Sequence, residues 1–152
     1  MTLNINNPIK FDYIIYTDGA CIGNPGPGGW AAIIFYGKDK NIISGFEKQT
    51  TNNRMELIAS IEALKYIKTK SKINLFTDSK YIIDGIKVWI KNWKLNNWKT
   101  KTNKDVKNLD LWKELDDLHS FHSVQWTWVK GHSGDKYNDE VDSLARGEAE
   151  KI

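Results

Sequence analysis

Hydrophobic and polar positions change period several times along this chain. Residues 12–19 form an apolar run rich in Ile and Tyr, which predicts a buried strand. Residues 30–36 and 41–47 predict two more strands, and the Gly37-Lys38-Asp39-Lys40 break makes them a hairpin. Between the first strand and this hairpin, Gly23-Asn24-Pro25-Gly26-Pro27-Gly28-Gly29 predicts a turn-rich link. The period then becomes helical, with Leu57, Ile58, Ile61, Leu64, Tyr66 and Ile67 on a recurring face. A strand follows at 72–77, two or more short helices cover 79–95, and another helix covers 109–119. Residues 123–129 read as the last strand, with Val124, Trp126 and Trp128 on one face, and a final helix runs over 138–150. The order βββαβα…αβα predicts an α/β fold: a five-stranded mixed sheet with an antiparallel hairpin at its edge and helices on both faces. Residues 1–10 read as a poorly ordered lead-in and 11–152 as one domain.

Composition narrows the class. With 40% apolar and 27% charged residues, the 152-residue chain can build a core and is not a disordered segment. No run of 18 or more apolar residues is present, which excludes a membrane-spanning helix, and 1–10 lack the apolar block of a secretory leader. Cys21 is the only cysteine, so no intrachain disulfide can form; a reducing, cytoplasmic setting is the expectation. The formal net charge of +3 says little about a nucleic-acid partner, but its distribution says more. Residues 87–108 carry Lys87, Lys91, Lys94, Lys99, Lys101, Lys104 and Lys107 against the single acid Asp105, with Trp89, Trp93 and Trp98 interleaved. A solvated lysine face over a small tryptophan core is the plain reading; a basic protrusion that follows a phosphate backbone is the functional one.

Four acids stand where a charge is rarely placed. Asp18 ends the run Tyr13-Ile14-Ile15-Tyr16-Thr17, and Asp78 ends Ile73-Asn74-Leu75-Phe76-Thr77. Glu56 falls in the first turn of an amphipathic helix, and Asp142 lies inside the final helix between Val141 and Leu144. Each has an ordinary explanation. Asp18 precedes Gly19 and could open a turn. Glu56 follows Asn53 at the spacing of a capping box. Asp78 could cap a helix. Asp142 could be solvated. Together they point elsewhere, because ligand sites in open α/β sheets lie beyond the carboxyl ends of parallel strands. Clustered carboxylates repel one another without a cation, and hard oxygen donors suit Mg²⁺, with Mn²⁺ as a substitute. Metal-assisted phosphodiester chemistry is the class they indicate.

The chain resembles type 1 ribonuclease H of the bacterial kind along nearly its whole length. The resemblance rests on four ordered motifs: Tyr16-Thr17-Asp18-Gly19-Ala20-Cys21 with Gly23 to Trp30; Thr51-Asn52-Asn53-Arg54-Met55-Glu56-Leu57; Thr77-Asp78-Ser79-Lys80-Tyr81; and Trp128-Val129-Lys130-Gly131-His132-Ser133-Gly134 with Asn138 and Asp142-Ser143-Leu144-Ala145. It implies a ribonuclease H-like fold and an endonuclease that cuts the RNA strand of an RNA–DNA hybrid, leaving 3′-hydroxyl and 5′-phosphate ends. It implies that Asp18, Glu56, Asp78 and Asp142 hold metal, where two divalent ions roughly 3.5–4 Å apart can clamp the attacking and leaving oxygens. His132, in a polar glycine-rich loop, is then a candidate for proton transfer or product release rather than a plain surface histidine. The loop departs from commoner family versions at Asp135-Lys136-Tyr137, where a proline often appears.

Substrate contacts are carried over in the same way. Asn24, Asn52 and Asn53 match groove contacts, and Thr51 and Asn108 match a DNA phosphate pocket. Lys87, Trp89, Lys91, Trp93, Lys94, Trp98 and Lys99 match the basic protrusion that meets the DNA strand. Lys80 stands where several relatives carry an uncharged polar residue. The protrusion, which some relatives lack and replace with a partner domain, implies a monomer with no obligate protein partner, and the Met1 start speaks against an excised domain. The competing readings are a hybrid-binding module without catalysis, an excised reverse-transcriptase domain, and a DNA-cutting relative of the same fold.

Overall fold

β1 (Tyr13–Cys21) runs through the middle of the sheet because it is apolar on both sides: Ile15 is fully buried on one face, and Tyr16 stacks on Phe76 on the other. The computed structural model describes residues 10–151, so the lead-in expected over 1–10 lies, except for Lys10, outside the described residues. β1 pairs antiparallel with β2 (Gly26–Tyr36), which pairs antiparallel with β3 (Asp39–Thr50). On its other side β1 pairs parallel with β4 (Lys72–Thr77), and β4 pairs parallel with β5 (Ser123–Trp128). The order β3-β2-β1-β4-β5 is the expected five-stranded mixed sheet with an antiparallel edge.

Helices cover both faces. On one side α1 (Asn52–Tyr66) and α4 (Leu109–Phe121) enclose the larger core, in which Ile15, Ile34, Leu64, Leu75, Trp112 and Leu115 are almost fully buried. On the other side α5 (Lys136–Ala149) packs Val141 and Ala145 against Ala31 and Ile33.

Two features differ from the sequence expectation. The glycine run does not end as a link: Gly26 to Gly29 are drawn into β2, leaving the turn to Ile22–Pro25. A Cβ on Gly29 would lie 2.2 Å from the Ala145 carbonyl oxygen, so the missing side chain lets α5 press on the sheet. The stretch 79–95 holds the expected short helices, α2 (Lys80–Asp84) and α3 (Ile90–Leu95), but a π-helical turn (Gly85–Trp89) joins them into one continuous helical path. Gly85 in that turn lies flat on Trp112, where a Cβ would be 2.0 Å from the indole.

Candidate active site

The site grows from a backbone contact between β1 and α1. A Cβ on Gly19 would sit 2.5 Å from the Glu56 amide nitrogen, so the helix crosses the strand as closely as two backbones allow. Asp18, one residue earlier, is mid-strand, paired with Ala31, and 3% exposed; it opens no turn. Glu56 caps nothing, because α1 begins earlier, with Thr51 Oγ1 accepting from the Arg54 amide at 3.2 Å. Its carboxylate is buried, and Oε1 has no hydrogen-bond partner.

Asp78 follows the last residue of β4. Ser79, not Asp78, caps the next helix, accepting from the Ile82 amide at 3.2 Å. Asp78 is instead framed from three sides. The Trp128 indole donates to its carbonyl oxygen at 3.2 Å, Asn138 Nδ2 approaches its Oδ2 at 3.5 Å, and a Cβ on Gly131 would meet that oxygen at 2.9 Å. Asp18, Glu56 and Asp78 each offer an oxygen within 4.8 Å of the others. Asp142 borders Asp18 from α5 but stays outside that group of three, with its Oδ2 2.9 Å from Arg146 Nη2.

Burial and crowding raise the affinity of the Asp18 and Glu56 carboxyls for protons. Burial, then the charge of Asp78, then Asp142 push the Asp18 carboxyl up to about 8. Burial and the charges of Asp18 and Asp78 push Glu56 well above the ordinary carboxylate range. A partnerless buried oxygen, converging hard donors and mutual repulsion fit a divalent cation and fit little else.

His132 is exposed in the loop after β5, directly after the glycine that touches Asp78, and its backbone is left-handed with φ 55°. Asn24, Thr51, Asn52, Asn53 and Asn108 come together around one cavity of about 310 Å³, joined by Lys107, which lay outside the expected contact set. Asn24 Oδ1 accepts from the Asn52 amide at 2.9 Å. Asn108, also left-handed, accepts from Arg54 Nη1 at 3.2 Å and donates to the Tyr81 hydroxyl at 3.1 Å.

The basic protrusion divides. Trp89, Trp93 and Trp98 pack in series with ring centroids 5.8 and 6.2 Å apart, and Trp93 meets the buried Trp112 at 5.5 Å. Their rings build a local core, with Trp89 and Trp93 also flooring an open groove of about 340 Å³. Lys94 pairs with Asp116 at 3.1 Å and Lys99 with Asp105, whereas Lys87 and Lys91 are exposed and form no ion pair among the described residues. Lys80 lies over the Trp128 ring, 4.1 Å from its centroid. Periodicity carried no signal for Arg54, Lys107 or Arg146, whose places depend on which elements meet.

Comparison with known proteins gives a consistent result. The RNase H family model matches residues 10–150. A ribonuclease H from Wolbachia pipientis wMel is 59% identical over 137 residues, covering 90% of this chain and 94% of its own. The crystal structure of LC9-RNase H1, a type 1 RNase H with the type 2 active-site motif, superposes with a TM-score of 0.82 at 33% identity, covering 94% of this chain and 74% of its own. A foamy viral protease-reverse transcriptase in complex with RNA/DNA hybrid shares the fold alone, with a TM-score of 0.79 at 18% identity over 93% of this chain and 20% of its own.

Proposed function

The chain belongs to the RNase H family, and from that premise we propose that it is an Mg²⁺-dependent endonuclease that hydrolyses the RNA strand of RNA–DNA hybrids. The observation that carries the metal-dependent reading is the convergence of Asp18, Glu56 and Asp78 within 4.8 Å in a largely buried place. Divalent cations bound by these three residues would supply Lewis acidity at the scissile phosphate and neutralise its developing charge.

The chain's own groups do the rest. Asp18, Glu56 and Asp78 hold the cations, with Asp142 as a further ligand beside Asp18. Asn138 and Gly131 keep Asp78 aimed inward. His132, exposed in the loop directly after Gly131, hands a proton to the leaving oxygen or helps the product depart. Asn24, Asn52 and Asn53 meet the hybrid groove, where the 2′-hydroxyl distinguishes RNA from DNA. Thr51 and Asn108 take a DNA phosphate in the same cavity, with Lys107 on its wall. Lys87 and Lys91 lead the contact to the DNA backbone, with Lys94 and Lys99 available once their acids yield. The tryptophans serve chiefly as the scaffold beneath them. The protein acts as a monomer without an obligate partner.

The test is a labelled RNA–DNA hybrid beside duplex RNA and duplex DNA, each with Mg²⁺ and with chelator. Cleavage of the hybrid alone, lost in chelator, is the expected result. Binding without cleavage identifies a recognition module, and cleavage of duplex DNA identifies a DNA-cutting relative; either overturns the proposal.

A further inference from the structure

Arg146 stands one helical turn beyond Asp142 on α5, with its Nη2 2.9 Å from Asp142 Oδ2. The Asp142 side chain is 16% exposed and the arginine 61%, so the carboxylate faces inward while the guanidinium reaches it from solvent. That oxygen is buried and takes no hydrogen bond, so the contact is one of charge without a directed bond. One turn earlier on the same helix, Asn138 is 1% exposed and its Oδ1 also lacks a partner. Two buried polar oxygens four residues apart on α5 thus take no hydrogen bond, and one of them has a cation parked beside it. A guanidinium keeps its charge throughout the working pH range, so it leaves this place only by moving.

We propose that Arg146 is a resident counter-cation of Asp142, which neutralises this carboxylate in the cation-free protein and must release Oδ2 before Asp142 can serve a divalent ion. This rests on the metal-dependent reading of the site and adds a positioning residue to it. Two consequences of opposite sign follow. Without Arg146, the largely buried Asp142 carboxylate loses its counter-charge, and the cation-free protein loses stability. Without Arg146, a divalent ion also meets no competitor at Oδ2, and binds more tightly. An arginine that merely braces α5 produces the first effect without the second.

A guanidinium this exposed competes weakly, so the change in cation affinity is about two- to fivefold. The full chain is unfolded thermally across a Mg²⁺ series, since a cation that binds only the folded state stabilises it by RT ln(1 + c/Kd) at free cation concentration c, and the rise of the midpoint with concentration gives the half-saturating concentration. The proteins compared are the parent, Arg146→Met, Arg146→Lys, Asp142→Asn and the double change Asp142→Asn with Arg146→Met. The expected result is a half-saturating Mg²⁺ concentration about two- to fivefold lower in Arg146→Met, with a lower midpoint in chelator. Arg146→Lys stays near the parent, and Arg146→Met has no effect on affinity in the Asp142→Asn background. An unchanged half-saturation in Arg146→Met, or the same gain without the Asp142 carboxylate, overturns the proposal. A parent whose midpoint ignores Mg²⁺ overturns the metal-dependent reading as well, which separates the two failures.

Discussion

Gly19 and Glu56 touch backbone to backbone, and this contact sets the spacing of the acidic cluster: any Cβ on Gly19 would stand 2.5 Å from the Glu56 nitrogen and 2.8 Å from the Met55 Cβ. Gly19→Ala therefore pushes α1 away from β1 and moves Glu56 from Asp18. Overpacking of this kind costs about 1–3 kcal/mol, and a displaced ligand lowers turnover more than it raises the Michaelis constant. Urea unfolding and steady-state kinetics of the variant check both. Parent-like values in each would mean that the two elements can separate without harm to the site.

Asp18→Asn abolishes cleavage while the fold and hybrid binding persist, because the amide keeps the shape and loses the charge. Stability adds a sharper signature. The Asp18 carboxyl is pushed up to about 8, so the folded state favours its protonated form. The stabilisation this gives is complete below the ordinary carboxylate range near about 4 and is lost as pH rises through the folded-state value. In chelator, the parent thus loses stability between pH 5 and about 8, and Asp18→Asn loses less. Urea midpoints at the two ends of that window decide the matter; equal losses in both proteins contradict it.

How far the site could be read from the chain depended on the kind of information each part needs. Asp18 and Asp78 were legible as the acids that end apolar runs, because that is a local pattern, although β1 carries on past Asp18 to Cys21 and only Asp78 stands at a strand end. The ordinary explanations for Glu56 and Asp78 failed on neighbours: Thr51 and Ser79 take the caps, which frees both acids. The glycine run misled, since glycine marks a turn and a close backbone approach alike, and only the packing of α5 on Gly29 tells them apart. The π-helical turn over Gly85 and the ion pairing of Lys94 and Lys99 depend on Trp112, Asp116 and Asp105 arriving from other segments. Asp142 was legible as an acid on the last helix, but its arginine companion was not read as part of the site.

His132→Gly tests the loop. Its left-handed backbone suits glycine, so the substitution removes the imidazole without straining the chain. Turnover falls by at most about 10²–10⁴-fold, and hybrid affinity hardly moves. A rate equal to the parent's from pH 6 to 9 returns His132 to the ordinary surface.

The lysines of the protrusion separate by their partners. Lys87→Ala and Lys91→Ala each reduce the slope of log affinity against log salt by roughly 0.7–0.9. Lys94→Ala and Lys99→Ala reduce it less, since both lysines already face carboxylates. Trp93→Ala lowers stability, because its ring joins Trp89, Trp98 and Trp112. Hybrid affinity is measured in Ca²⁺ to suppress cleavage. A slope that four alanines leave untouched shows that these side chains meet no phosphate.

The most direct measurement is the chemistry of the ends left on each strand of a hybrid labelled in both strands, after limited digestion in Mg²⁺. Attack by water at a phosphate held against Asp18, Glu56 and Asp78 predicts new 3′-hydroxyl and 5′-phosphate ends in the RNA and an intact DNA strand. Cyclic 2′,3′-phosphate ends, or new ends in the DNA, would contradict it.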